Sequence, residues 1–119
     1  MRKALVVDDD ALFRLVIRSE LEKLGFAVSE FCDGRGVAEF IRAERPLLCV
    51  IELVMPEKEG IETILEIAES DERAKIVAIS ARWQYLDAAV EFGADASIGK
   101  PFGPEELREA LQRLGLLET

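Results

Sequence analysis

Asp8 and Asp9 follow one short apolar run of the chain, Glu52 follows a second, Ser80 a third, and Lys100 comes just after a fourth. If those runs are neighbouring strands, five polar groups converge on one edge. Carboxylates packed together repel each other and hold a proton between them unless a cation neutralises them. Hard oxygen ligands with room for water suit Mg²⁺. Taken singly, each group has a plainer use. Asp8-Asp9-Asp10 reads as a helix N-cap with acidic residues favouring the helix dipole, the role expected of Asp10. Lys100 alone reads as a solvated lysine, and Ser80 as a strand-end residue bonding its own backbone. Their joint placement outweighs these readings and points to a pocket of carboxylates.

The elements that must position this pocket alternate along the chain. Ala4–Val7, Leu47–Ile51 and Ile76–Ile79 are apolar runs too short for helices and rich in Val and Ile, the pattern of buried parallel strands. Phe26–Phe31 and Ala96–Ile98 are weaker strand signals. Helical spacing appears at Phe13, Ile17, Leu21 and Leu24, at Ile61, Ile64, Leu65 and Ala68, and at Leu107, Ala110, Leu111 and Leu114. Val37–Ala43 and Leu86–Phe92 complete five βα units. Gly25 and Gly93 suit the position just past a helix end, and Pro104 before Glu105-Glu106 suits a helix start. Five units predict an α/β fold, a doubly wound open parallel sheet with right-handed crossovers, as one domain over residues 1–119. Ligands of such sheets sit outside the carboxyl ends of the strands, where the five polar groups lie.

Composition narrows the function classes. Half of the 119 residues are hydrophobic and 33% are charged, as in a globular protein. Fifteen Lys plus Arg against 24 Asp plus Glu leave a net charge of −9, which argues against direct binding to nucleic acid or anionic membrane. Cys32 and Cys49, with no CxxC spacing and no His in the chain, read as small buried core residues of a reducing compartment. The apolar start of the chain is cut by Asp8-Asp9-Asp10 well short of a signal peptide or membrane span, so a cytoplasmic location is expected.

Four segments taken in order resemble bacterial response-regulator receiver domains of two-component signalling, the chemotaxis regulators among them. They are Val6-Val7-Asp8-Asp9, Glu52 through Met55-Pro56 to Gly60, Ala78-Ile79-Ser80-Ala81, and Gly93-Ala94 before Lys100-Pro101-Phe102. The resemblance implies a flavodoxin-like strand order 2-1-3-4-5. It implies a phosphorelay in which a histidine kinase or phosphotransfer protein passes a phosphoryl group to an aspartate ending the third strand, with Mg²⁺ beside it. Here Glu52 holds that acceptor position. By the same resemblance Asp8, Asp9, Glu52 and the Val54 carbonyl are metal ligands, Ser80 and Lys100 sense the phosphoryl group, and Lys100-Pro101 forms a cis-proline turn. Ser97 stands where receivers often carry an aromatic switch residue. The downstream effector, or a second copy in a homodimer, is expected on the face of the fourth helix, fifth strand and fifth helix.

Glutamate adds one methylene, about 1.5 Å of reach, and misplacing a nucleophile by about 1 Å can cost ~10²-fold in rate. Little or no phosphorylation is therefore expected. The carboxylate could partly imitate a phosphoaspartate, with charge −1 against about −1.5 to −2 for a phosphoryl group. Other readings are a pseudo-receiver serving as a docking or dimerising scaffold, and a Mg²⁺-dependent phosphatase, which would need an aspartate nucleophile. A nucleotide or flavin module fits poorly, because no glycine-rich phosphate loop follows Val7. Trp83 and Tyr85 read as ordinary exposed aromatics.

Overall fold

The computed structural model describes residues 2–70 and 73–117. Five strands alternate with five helices: β1 Arg2–Val7, α1 Ala11–Lys23, β2 Phe26–Phe31, α2 Val37–Glu44, β3 Leu48–Glu52, α3 Gly60–Ala68, β4 Lys75–Ser80, α4 Leu86–Glu91, β5 Ala96–Gly99 and α5 Pro104–Arg113. A 3₁₀ turn, Trp83–Tyr85, leads into α4, whose start the sequence pattern had placed correctly at Leu86. All strand pairs are parallel, in the order β2-β1-β3-β4-β5, which is the order expected.

The strands are apolar throughout because both faces of the sheet are covered. Successive residues point to opposite faces, and the core divides accordingly. Leu5, Val7, Cys49, Ile51, Ile76 and Ala78 pack with Val37 and Ile41 of α2, Ile64 and Ile67 of α3, and Ala89 of α4. Ala4, Val6, Leu48, Val50, Val77 and Ile79 pack with Ile17 and Leu21 of α1 and Leu107 and Leu111 of α5. Helices α2, α3 and α4 thus cover one face, and α1 and α5 the other.

Helix ends follow local chemistry. Asp10 caps α1, its Oδ1 accepting from the backbone N–H groups of Leu12 (3.0 Å) and Phe13 (3.1 Å). Gly25 and Gly93 take φ of 96° and 127° after α1 and α4, a region other residues enter at a cost. Two expectations need correction. Leu65 does not face the core: it is exposed, and Thr63, Ile64 and Ile67 form the buried face of α3. Cys32 is also exposed, lying just past the end of β2 at Phe31; Cys49 alone of the two thiols is buried. Among the described residues, no helix is long and apolar enough to cross a membrane.

Candidate functional site

The period of two that builds the core also sorts the polar residues at the strand ends. Asp8 comes one step after Val7 and Glu52 one step after Ile51, and Val7 and Ile51 are register partners. Both acids therefore continue the α1/α5 face. Lys100 lies two steps beyond Ile98 on that same face. Ser80 lies two steps beyond Ala78, on the face of α2, α3 and α4. Ser97 pairs with Ala78 across β4 and β5, so it shares the side of Ser80.

This sorting decides the contacts. Lys100 Nζ stands 2.7 Å from Asp8 Oδ2 and 2.8 Å from Glu52 Oε1, so one ammonium bridges two carboxylates. The lysine side chain is 13% exposed, that of Asp8 0% and that of Glu52 9%. Such a group is desolvated, so pairing matters far more than on the surface. The remaining oxygens are also engaged. Asp8 Oδ1 accepts from Asp10 N–H at 2.9 Å. Glu52 Oε2 accepts from Leu53 N–H at 2.7 Å and Val54 N–H at 3.3 Å, because the extra methylene lets the carboxylate turn back onto the loop that follows β3. Ser80 accepts from Arg82 N–H at 3.0 Å, a local strand-end turn.

Burial raises the Asp8 carboxyl above its usual range, the Lys100 contacts and the Asp10 amide only partly opposing it. For Lys100 burial works against the charged form, but the hydrogen bonds and charges of Asp8 and Glu52 together outweigh it and raise the ammonium above its usual value. The two directions are compatible: Lys100 gains from two acids, whereas Asp8 has the deeper burial and a neighbouring like charge in Glu52.

Several supporting residues were not singled out for the site by sequence pattern. Phe13 was assigned to the core, yet Lys100 Nζ lies 4.3 Å from its ring centroid, a cation–π contact on the α1 side of the pocket. Arg14 donates through Nη1 to the Asp8 carbonyl at 2.6 Å. Gly60 begins α3 directly against the end of β3: a β-carbon there would lie 2.1 Å from the Glu52 carbonyl oxygen and 2.8 Å from Leu53 Cα. Its N–H donates to the Leu53 carbonyl at 3.0 Å. The Lys100-Pro101 peptide, by contrast, was expected to be cis from the resemblance, and it is cis.

The expected metal ligands are not drawn around one point. Asp8 and Glu52 both face Lys100, Asp9 is exposed, and Val54 is 37% exposed. Among the described residues, no group of three or more His, Cys, Asp or Glu side chains is arranged to hold a metal ion. In this arrangement the counter-charge between Asp8 and Glu52 is the Lys100 ammonium.

Residues 4–112 match the family described as the response regulator receiver domain. The chemotaxis protein CheY of Thermotoga maritima is 34% identical over 116 residues, which span 95% of this chain and 97% of that protein. Response regulator TrrA of Thermotoga maritima, solved in complex with Mg²⁺-BeF, superposes with a TM-score of 0.86 at 27% identity, over 96% of this chain and 99% of that one. The receiver domain of the sensor histidine kinase PA1611 of Pseudomonas aeruginosa, solved with magnesium coordinated in its active-site cleft, gives a TM-score of 0.84 at 26% identity, over 94% and 95% of the two chains.

Proposed function

This chain belongs to the response regulator receiver domain family of two-component signalling, and from that premise we propose that its pocket is held in a charge-paired state by Glu52 without a phosphoryl group. The observation that carries this reading is the Lys100 ammonium bridging Asp8 Oδ2 and Glu52 Oε1. Receiver domains are signalling modules that act through protein partners, and this one, a module over residues 1–119 of cytoplasmic location, relays by contact rather than by turnover.

Two features of Glu52 support a module deficient in phosphorylation. Its Oε1 is committed to Lys100 and its Oε2 to the Leu53 and Val54 amides. Its carboxylate thus holds the lysine and loop donors that would stabilise an arriving phosphoryl group. The same contacts make it a partial mimic, one that engages Lys100 while Ser80 keeps its turn with Arg82. Mg²⁺ is the cation proposed for this pocket. Asp8, Asp9 and the Val54 carbonyl are its candidate ligands, and binding requires Lys100 to give up Asp8.

A histidine kinase or phosphotransfer protein on one side and an effector on the other are the partners proposed. The output face is α4–β5–α5, where Trp83 lies exposed against Gly99 of β5; a homodimer would use the same face. Because Lys100 is already engaged by Asp8 and Glu52, a docking or dimerising scaffold with no phosphoryl cycle is the second reading. A phosphatase is disfavoured, since Asp8 is fully buried and paired to Lys100.

The deciding experiment exposes this chain and its Glu52→Asp variant to a small acyl phosphate with Mg²⁺ and compares intact masses. The variant should gain one phosphoryl group and the parent none. Equal labelling of both would overturn the role given to Glu52, and labelling of neither would favour the scaffold.

A further inference from the structure

Trp83 is the chain's one tryptophan, and it is 67% exposed. Its indole is nevertheless seated. A β-carbon built at Gly99 would stand 2.6 Å from its Nε1 and 2.7 Å from its Cε2, so the ring lies directly on the Gly99 backbone. Gly99 is not among the residues of positive φ, and the close approach of the ring is therefore what calls for glycine there. The indole Nε1–H donates to the Lys100 carbonyl at 3.3 Å. Lys100 N–H in turn donates to the Ser80 carbonyl at 2.8 Å. The backbone that carries the bridging ammonium is thus held at two points, by Ser80 and by Trp83. Both belong to the segment that runs from β4 through the 3₁₀ turn into α4.

We propose that Trp83 is a positioning residue for Lys100: the indole on Gly99 ties the placement of the ammonium between Asp8 and Glu52 to the β4–α4 segment, so that losing the charge at position 52 unseats the ring. Trp83 opens the 3₁₀ turn that leads into α4, so the charge state of the pocket is displayed on the surface there. The use of that display as a signal rests on the receiver reading above; the coupling itself does not, because it involves only contacts within this chain.

The single tryptophan makes the coupling directly measurable by its emission and by quenching with neutral acrylamide. Glu52→Gln should shift the emission to the red and raise the quenching constant about 1.5-fold, the ratio of full exposure to 67%. Gly99→Ala should do the same by occupying the ring's seat, and Glu44→Gln, in an exposed pair with Lys3, should change neither reading. Far-UV circular dichroism verifies folding, and if Gly99→Ala fails to fold, Glu52→Gln decides. Unchanged emission and quenching in folded Glu52→Gln would overturn the proposal. In the Glu52→Asp background, Trp83→Phe should slow acyl-phosphate labelling, with Trp83→Tyr, which restores a donor, recovering more of the rate. No labelling of Glu52→Asp itself would favour the scaffold reading and leave the emission result to stand on its own.

Discussion

Lys100 Nζ meets Glu52 Oε1 at 2.8 Å while remaining 2.7 Å from Asp8 Oδ2, so residues 92 positions apart share one ion-paired centre. The pairing is possible because the sheet places the ends of β1 and β3 side by side and the chain leaving β5 returns to the same face. The two acids share a single cation that is covalently part of the chain. The consequences for stability, metal binding and reactivity can be measured separately.

Lys100→Met should lower stability by about 3 kcal/mol, because it leaves two desolvated carboxylates without their counter-charge. Urea denaturation measures the loss. Adding Glu52→Gln to that variant should recover part of it, since one buried charge is then removed. A double variant no more stable than Lys100→Met would show that repulsion between Asp8 and Glu52 contributes little.

Glu52→Asp should bind Mg²⁺ more tightly than the parent. The shorter side chain withdraws from Lys100 and from the Leu53 and Val54 amides, freeing an oxygen near Asp8 and Asp9. Titration calorimetry at fixed ionic strength distinguishes the two chains, and equal affinities would count against the blocking role given to the Glu52–Lys100 pair.

Stability should fall on the alkaline side more steeply in the parent than in Lys100→Met. The Lys100 ammonium is raised above 10.5 in the folded chain, so its contribution is complete below that value and is lost as pH rises through the folded pKa. Asp8 acts at the acid end. Its carboxyl is raised above 3.8, so between the unfolded and the folded pKa of Asp8 the folded state binds more protons than the unfolded chain. This group therefore makes stability decline as pH rises from about 4, a slope that Asp8→Asn should remove in denaturation curves taken at a series of pH values.

Gly60→Ala should destabilise by at least about 3 kcal/mol, in the range of severe overpacking. The new β-carbon meets backbone atoms of Glu52 and Leu53, which cannot swing aside as a side-chain end could. Thermal melts measure the effect, and a loss of only a few tenths of a kcal/mol would mean that α3 can slide off the end of β3.

One thiol should react quickly with a disulfide reagent and the other only on unfolding. Cys32 is exposed, whereas burial pushes the Cys49 thiol up to about 12, leaving almost no thiolate at neutral pH. Mass mapping of the fast adduct should find it on Cys32.

The sequence by itself determined the alternation of strands and helices, because short Val- and Ile-rich runs and helical spacing are local signals. It also placed Asp8, Glu52, Ser80 and Lys100 at strand ends, and a parallel sheet brings such ends to one edge. Asp10 as an N-cap was legible for the same local reason. Tertiary packing decided the rest. The division of the strand ends between two faces put Asp8, Glu52 and Lys100 together and left Ser80 with Arg82. Phe13, Gly60 and Trp83 carry no sequence mark of their contacts with the pocket, since a ring under an ammonium, a helix start against a carbonyl and an indole on a glycine exist only after distant segments meet. Cys32 and Leu65 were misread because apolar character is local, whereas burial depends on what the other elements cover. The pocket's members could be read from the chain, but their partners depended on which face of the sheet each one shares.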